Sequence, residues 1–245
     1  MALVGPITSG MFKAGGPIVK QKGVVMISPT ATAPDLTQDN PYAFRNNPSE
    51  DINIPELLKL VTKTQPNVKT ISIIYDKKEA ADRVIGELYE KLVTGIGWKV
   101  LDVTTYLSGQ LNFSDLVTKS LNGKPDIVAV AAHGADAANV ARELRRQGYN
   151  GIILGGTPTV SEDYIKIGGA AVEKTYVVVP YYFGSQNAAN KVFTEGYAKF
   201  SGQKSPDPWE PSTYEVMGII PAAMKAAKVT GDGAKLGSER SAIRD

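Results

Sequence analysis

Two periodicities alternate along this chain, and that alternation limits its fold more than any other feature. Short apolar runs, many of them β-branched, occupy residues 2–4, 24–27, 71–75, 100–103, 127–130, 152–154 and 176–179. Runs without polar alternation suit strands covered on both faces, as in parallel sheets. Between them the spacing turns helical. Ile54, Leu57, Leu58 and Val61 fall at i, i+3, i+4 and i+7, and Ala137, Val140, Ala141 and Leu144 repeat the pattern. Phe113, Leu116 and Val117 share a face with Leu121 one turn on, and helices are also predicted over 84–92, 192–200 and 212–228. Strand and helix in turn predict an α/β chain built from doubly wound parallel sheets.

Two turn-rich stretches interrupt the pattern. Arg45-Asn46-Asn47-Pro48-Ser49 follows the second predicted strand, and Pro180-Tyr181-Tyr182-Phe183-Gly184-Ser185 follows the last. They predict a discontinuous lobe of residues 1–49 and 181–245 and a continuous lobe of residues 50–180. The first lobe then has only two strands, which predicts exposed sheet edges and apolar faces. Ser238 reads as the N-cap of a helix running into Ala242-Ile243, with Asp245 reached before that helix buries much. An incomplete chain is therefore expected.

Composition removes several function classes. Without cysteine there are no disulfides, thiol chemistry or cysteine-bound metal. The single histidine, His133, argues against a histidine metal site. Lys plus Arg 27 against Asp plus Glu 25 leaves +2, too little to argue for nucleic acid. No apolar run has the length of a membrane span, and residues 1–9 lack the character of a secretory signal. Neither Gly155-Gly156 nor Gly168-Gly169 opens a dinucleotide fingerprint, and no Walker lysine is present, so no cofactor is expected. No Gly-x-Ser-x-Gly elbow accompanies His133. Catalysis is thus poorly supplied; the catalytic alternative is a small α/β enzyme with His133 as general base.

In open parallel sheets ligands bind beyond the carboxyl ends of the strands. Thr8 and Ser9 follow the first strand, Thr30 and Thr32 the second, His133 the fifth and Thr157 the sixth. Hydroxyls and backbone N–H groups at a helix start suit a carboxylate. The plainer reading makes Thr8, Ser9, Thr30 and Thr32 caps and turn formers. His133 reads either as a solvated loop residue or as a ligand contact, and Trp209 as core or as a pocket wall.

Gly5-Pro6-Ile7-Thr8-Ser9, followed by Gly23-Val24-Val25-Met26-Ile27-Ser28-Pro29-Thr30-Ala31-Thr32-Ala33-Pro34-Asp35-Leu36-Thr37, resembles the periplasmic Leu/Ile/Val-type binding proteins of ABC transporters. Phe44-Arg45, Leu154-Gly155-Gly156 and the stretch from Gly168 to Val177-Val178-Val179-Pro180 continue the likeness over nearly the whole chain. The resemblance implies the type I fold, two lobes joined by three crossovers that close on a ligand, with the first two βα units and the tail beyond Asp245 lacking here. It also implies a periplasmic or otherwise extracytoplasmic place, a membrane permease as partner and a monomer when complete. It assigns Ser9 to the ligand carboxylate, Thr32 to a ligand hydrogen bond, and Thr30 to a backbone carbonyl for the ligand ammonium. His133 falls where a tyrosine of the second lobe is common, and Trp209 on an aromatic lining position. Two departures count. Thr157 stands in place of the acid expected to meet the ammonium, and Ala80-Ala81 replaces a Tyr-Gly pair. The carboxylate end is kept, so a small organic acid, aromatic or aliphatic, is expected first and an amino acid next. A ligand-sensing domain of a regulator or receptor, taking an amide or urea, is the alternative with the same fold.

Overall fold

In a computed structural model, which describes residues 2–203 and 205–245, the alternation becomes two compact units. Met1, the outermost residue of the sequence-derived boundary, lies outside the described residues. The units are Met1–Pro48 with Pro180–Asp245, and Ser49–Val179. In chain order the elements are β1 (Ala2–Val4), α1 (Ser9–Lys22), β2 (Val25–Ser28), β3 (Ala43–Arg45), α2 (Glu50–Thr64), β4 (Thr70–Asp76), α3 (Ala80–Gly95) and β5 (Lys99–Tyr106). There follow α4 (Ser114–Leu121), β6 (Ile127–Ala131), α5 (Gly134–Arg146), β7 (Ile152–Gly155), α6 (Glu162–Gly168), β8 (Thr175–Tyr176), α7 (Ala188–Ser201), α8 (Trp209–Ala226) and α9 (Leu236–Arg244).

The continuous unit carries a parallel five-stranded sheet in the order β5-β4-β6-β7-β8. Its strands are apolar on both faces because helices cover both. Ile71, Ile73, Ile127, Ala129 and Leu154 pack under α2 and α3 with Ile54, Leu57, Val61, Ile85 and Tyr89. Ile74, Val128, Val130 and Ile153 point the other way, onto Leu116 and Val117 of α4 and Val140, Ala141 and Leu144 of α5. Side chains that alternate faces at period two make the strands read as unbroken hydrophobic runs. Gly86 marks a close approach of α3 to the sheet: a Cβ there would lie 2.4 Å from the Tyr75 ring.

The discontinuous unit carries a parallel sheet in the order β1-β2-β3. One face packs Met26 and Ala43 against Phe12 and Val19 of α1. The other packs Val25 and Ile27 against Val216 of α8 and Ile243 of α9. Leu3 and Val4 of β1 are exposed.

Four sequence expectations need correction. The unit has three strands, not two: β3 pairs with β2 through Met26–Ala43, Ile27–Phe44 and Ser28–Arg45, so the 45–49 break follows a third strand. Three residues, only Ala43 of them buried, give too little pattern to find by period. The predicted strand 176–179 is Thr175–Tyr176. It is an edge strand held through Ile153–Thr175 and Leu154–Tyr176 alone, and Pro180 beyond it has no N–H to extend a ladder. The helix predicted over 212–228 begins at Trp209. Ser238 caps nothing: Asp232 caps a 3₁₀ turn at Gly233–Lys235, α9 starts at Leu236, and Ser238 donates back to the Lys235 carbonyl. Ile243 then buries its side chain, which the sequence reading did not expect.

Candidate functional site

In the discontinuous unit, two loops at the carboxyl ends of β1 and β2 are laced by hydroxyls. Ser28, the last residue of β2, donates to the Pro6 carbonyl at 2.7 Å and accepts from the amides of Thr30 and Ala31. Thr30 donates its own hydroxyl to the Ile7 carbonyl. Ser9, at the start of α1, is buried and accepts from the amides of Thr32 and Ala33 at 3.2 and 3.1 Å. Both amides use Ser9 Oγ as acceptor, which leaves its hydroxyl proton to donate elsewhere. Arg45 Nη1 fastens the far end of the loop through the Ala33 carbonyl. Thr8 is the N-cap of α1, accepting from Met11 N–H.

Two features of this corner remain unexplained by packing. Thr32 is 1 % exposed, and its Oγ1 is buried with no hydrogen-bond partner. A buried hydroxyl in that state costs about 1–3 kcal/mol. The first turn of α1 also has no acidic residue, whereas α2 begins with Glu50 and Asp51, α3 with Asp82 and α5 with Asp136. A helix N-terminus behaves as about half a positive charge, and here no carboxylate of its own offsets it. Ser9 and Thr32 thus place two hydroxyls beside a helix start whose first turn carries no acid.

In the continuous unit the strand order reverses across β4 and β6, because β5 lies on one side of β4 and the later strands on the other. The crevice outside the carboxyl ends at such a switch point is where open α/β sheets take ligands. Asp82, in the first turn of α3 after β4, and His133, after β6, meet there: Nδ1 of His133 lies 2.7 Å from Asp82 Oδ2. The Asp82 side chain is 1 % exposed and the His133 ring 46 % exposed. Burial opposes the imidazolium, but the Asp82 hydrogen bond and the charges of Asp82, Glu79 and Asp76 prevail and hold His133 above its ordinary pKa. Burial likewise pushes the Asp82 carboxyl up, with His133 opposing.

Neighbouring strand ends are polar too. Asp76 accepts from Ser108 Oγ and the Lys78 amide. Tyr106, at the end of β5, is buried, and burial followed by the charges of Asp136, Asp82 and Asp76 raises its phenol. Burial also raises the Asp136 carboxyl. After β7, Thr157 opens a 3₁₀ turn and its buried Oγ1 accepts from Asn53 Nδ2 of α2 at 3.1 Å. The Gly155-Gly156 step has a packing reason, since a Cβ on Gly156 would lie 2.4 Å from Ile85 Cδ1.

Of the residues singled out by sequence, Thr8, Ser9, Thr30 and Thr32 come together in one corner, where Thr8 accepts from Met11, Ser9 accepts from two amides, Thr30 donates to Ile7, and the Thr32 hydroxyl has no partner. His133 and Thr157 follow adjacent strands of the other unit. Trp209 is partly buried at the first position of α8, its amide donating to Asp207. Sequence reasoning missed Asp82, which looks like any first-turn acid on a helix, and Asn53, whose partner is 104 residues away. Among the described residues no group of three or more His, Asp or Glu is placed to hold a metal, and no helix is long and apolar enough to cross a membrane.

The comparisons agree with this architecture. Residues 1–242 match the periplasmic binding protein family. The Leu/Ile/Val-binding protein homolog 3 of Brucella melitensis is 26% identical over 174 residues, 71% of this chain and 47% of the relative. A Leu/Ile/Val-binding protein of Rhizobium johnstonii is 30% identical over 176 residues, again 71% and 47%. The chain spans about half the length of the curated relatives it matches. The crystal structure of a leucine-binding protein from Thermotoga maritima superposes with a TM-score of 0.87 at 23% identity, covering 99% of this chain and 67% of that one. Parallel sheets with helices on both faces, polar strand ends and a match over nearly every residue lead to one assignment: the chain belongs to the periplasmic binding protein family.

Proposed function

We propose that this chain is the solute-binding component of an ABC transporter of the branched-chain amino-acid type, working outside the cytoplasm and delivering its ligand to a membrane permease. The ligand is a small carboxylate, an organic acid or an amino acid. Its carboxylate is taken by the hydroxyls of Ser9 and Thr32 at the start of α1, and His133 and Thr157 meet the same ligand when the two units close on it about a hinge. Closure follows binding because a ligand shifts an equilibrium by its differential affinity for the two states.

One observation carries the reading: Thr32 keeps a buried hydroxyl without a partner beside a Ser9 hydroxyl that has a proton to spare, at a helix start with no acid. Folding alone gains nothing from that arrangement, whereas an arriving carboxylate satisfies all of it. The names of the relatives, Leu/Ile/Val-binding proteins, support the same class of ligand.

The test is a thermal-shift panel of branched amino acids, aromatic and aliphatic carboxylates, short amides and urea. A ligand that binds only the folded chain raises its melting temperature, by about 2.7 kcal/mol of stabilisation at one hundred times Kd. A carboxylate response that disappears in Ser9→Ala and Thr32→Val is expected. Response to amides or urea alone would replace this reading with that of a sensor domain.

A further inference from the structure

We propose that Ser28 is the positioning residue of the carboxylate site: its hydroxyl ties together the loops after β1 and β2, and so holds the Thr32 hydroxyl away from the chain's own acceptors and keeps it for a ligand carboxylate. This deepens the binding reading and rests on it.

Two prolines bracket the loop after β2. Pro29 and Pro34 have no amide N–H and a fixed φ, and the four amides between them are all taken by two serine oxygens. Thr30 and Ala31 donate to Ser28 Oγ at 3.3 and 2.9 Å, and Thr32 and Ala33 donate to Ser9 Oγ at 3.2 and 3.1 Å. Ser28 Oγ itself donates to the Pro6 carbonyl at 2.7 Å, so its one proton and two lone pairs are fully used, on a wholly buried residue. Its backbone carbonyl accepts from the Asn46 amide at 3.0 Å. Ser28 thus joins the segments that follow all three strands of this sheet. Thr30 adds a second tie between the two loops through the Ile7 carbonyl, and Arg45 Nη1 holds the Ala33 carbonyl at 2.6 Å.

The effect on Thr32 follows from its branching. A β-branched side chain is stiff at χ1, so the backbone decides where Oγ1 points. With the amides of residues 30–33 pinned, Oγ1 stays buried and, among the described residues, without a partner. A loop free to shift would turn that hydroxyl onto a neighbouring carbonyl, because doing so recovers the cost of its desolvation. Ser28 is the anchor whose removal loosens the loop most: one hydroxyl carries three of the bonds, and Ser9, the other serine, belongs to the carboxylate site itself. A hydroxyl held ready in this way costs stability in the ligand-free chain and favours binding, since the ligand has no loop to order.

The test is a double-mutant cycle in the ligand-free chain, read by calorimetry, together with binding of 4-methylpentanoate and 4-methylpentanamide, which differ only in the carboxylate. Thr32→Val is expected to raise the melting temperature by several degrees in the parent chain and by about zero in Ser28→Ala, where the hydroxyl has found a partner. Ser28→Ala is also expected to weaken the carboxylate about tenfold, as for one misplaced charge-assisted hydrogen bond, and the amide by much less. Should Ser28→Ala fail to fold, Thr30→Val opens the lighter tie between the same two loops and enters the same cycle, with part of the Thr32→Val shift lost. A purely structural Ser28 would lower the melting temperature, weaken both probes alike and leave the Thr32→Val shift at full size, and that result would overturn the proposal. Additive effects in the cycle overturn it whatever the probes do, with the binding reading still standing. Coupling in the cycle with silence of both probes and of the wider panel would uphold the hold of Ser28 on Thr32 and overturn the binding reading.

Discussion

Replacing Thr32 by valine exchanges one buried hydroxyl for a methyl of nearly the same shape. In most buried positions that exchange breaks a hydrogen bond and destabilises. Here the hydroxyl has no partner, so the ligand-free chain recovers the desolvation cost of about 1–3 kcal/mol and gains up to about 0.8 kcal/mol of apolar burial. A chain of this length shifts by about 2–4 °C per kcal/mol, so calorimetry of Thr32→Val should show a transition raised by several degrees. The same substitution removes a hydrogen bond to the ligand carboxylate, worth about 1.5–3 kcal/mol for a charged acceptor, and weakens carboxylate binding about tenfold to a hundredfold. Stability and affinity thus move in opposite directions. Thr32→Ser keeps the hydroxyl and should keep the affinity. A melting temperature that falls in Thr32→Val would mean that the hydroxyl is bonded in the ligand-free chain. Unchanged carboxylate affinity would mean that it does not touch the ligand, and either result refutes the reasoning.

Further outcomes follow from the packing and the charges. Gly86→Ala places a Cβ 2.4 Å from the Tyr75 ring and should cost about 1–3 kcal/mol, read as a lower denaturation midpoint; an unchanged midpoint would show that α3 can lift from the sheet without penalty. Tyr89→Phe removes a buried 2.7 Å bond to the Gly155 carbonyl and should destabilise by about 1–2 kcal/mol, with the far-ultraviolet circular dichroism unchanged. Both His133 and Asp82 hold protons more tightly in the folded chain than in the unfolded one. The His133 contribution is therefore complete below its unfolded pKa of about 6.5 and is lost as pH rises through its raised folded value. The Asp82 contribution has the same sign. Denaturant titrations should give higher stability at pH 6 than at pH 8.5, a difference that shrinks in His133→Gln; a difference of the opposite sign would break the linkage argument.

The sequence by itself determined the class of this fold. Unbroken apolar runs such as 127–130 and helical stripes such as Ile54, Leu57, Leu58 and Val61 record burial on two faces and on one face respectively. That pattern is local, because each residue's environment follows from the period of its own element. The same locality explains the failures. β3 is three residues long and exists because β2 offers it a ladder, and β8 pairs over two residues although its apolar run goes on to 179; no period can announce either limit. The α9 start was misplaced because Asp232 and Ser238 are both acceptable caps, and Ile243 settles the frame by burying itself beside Val25, Ile27 and Val216. At the candidate site, sequence could name hydroxyls and a histidine at strand ends without saying which were occupied. Only the tertiary structure assigned Thr8 to a cap and Thr30 to the Ile7 carbonyl, left Thr32 unsatisfied, and placed Asp82 against His133 across 51 residues of chain. The physical reason is that a strand period fixes which way a side chain points, whereas a hydrogen bond depends on what the rest of the chain places within 3 Å of it.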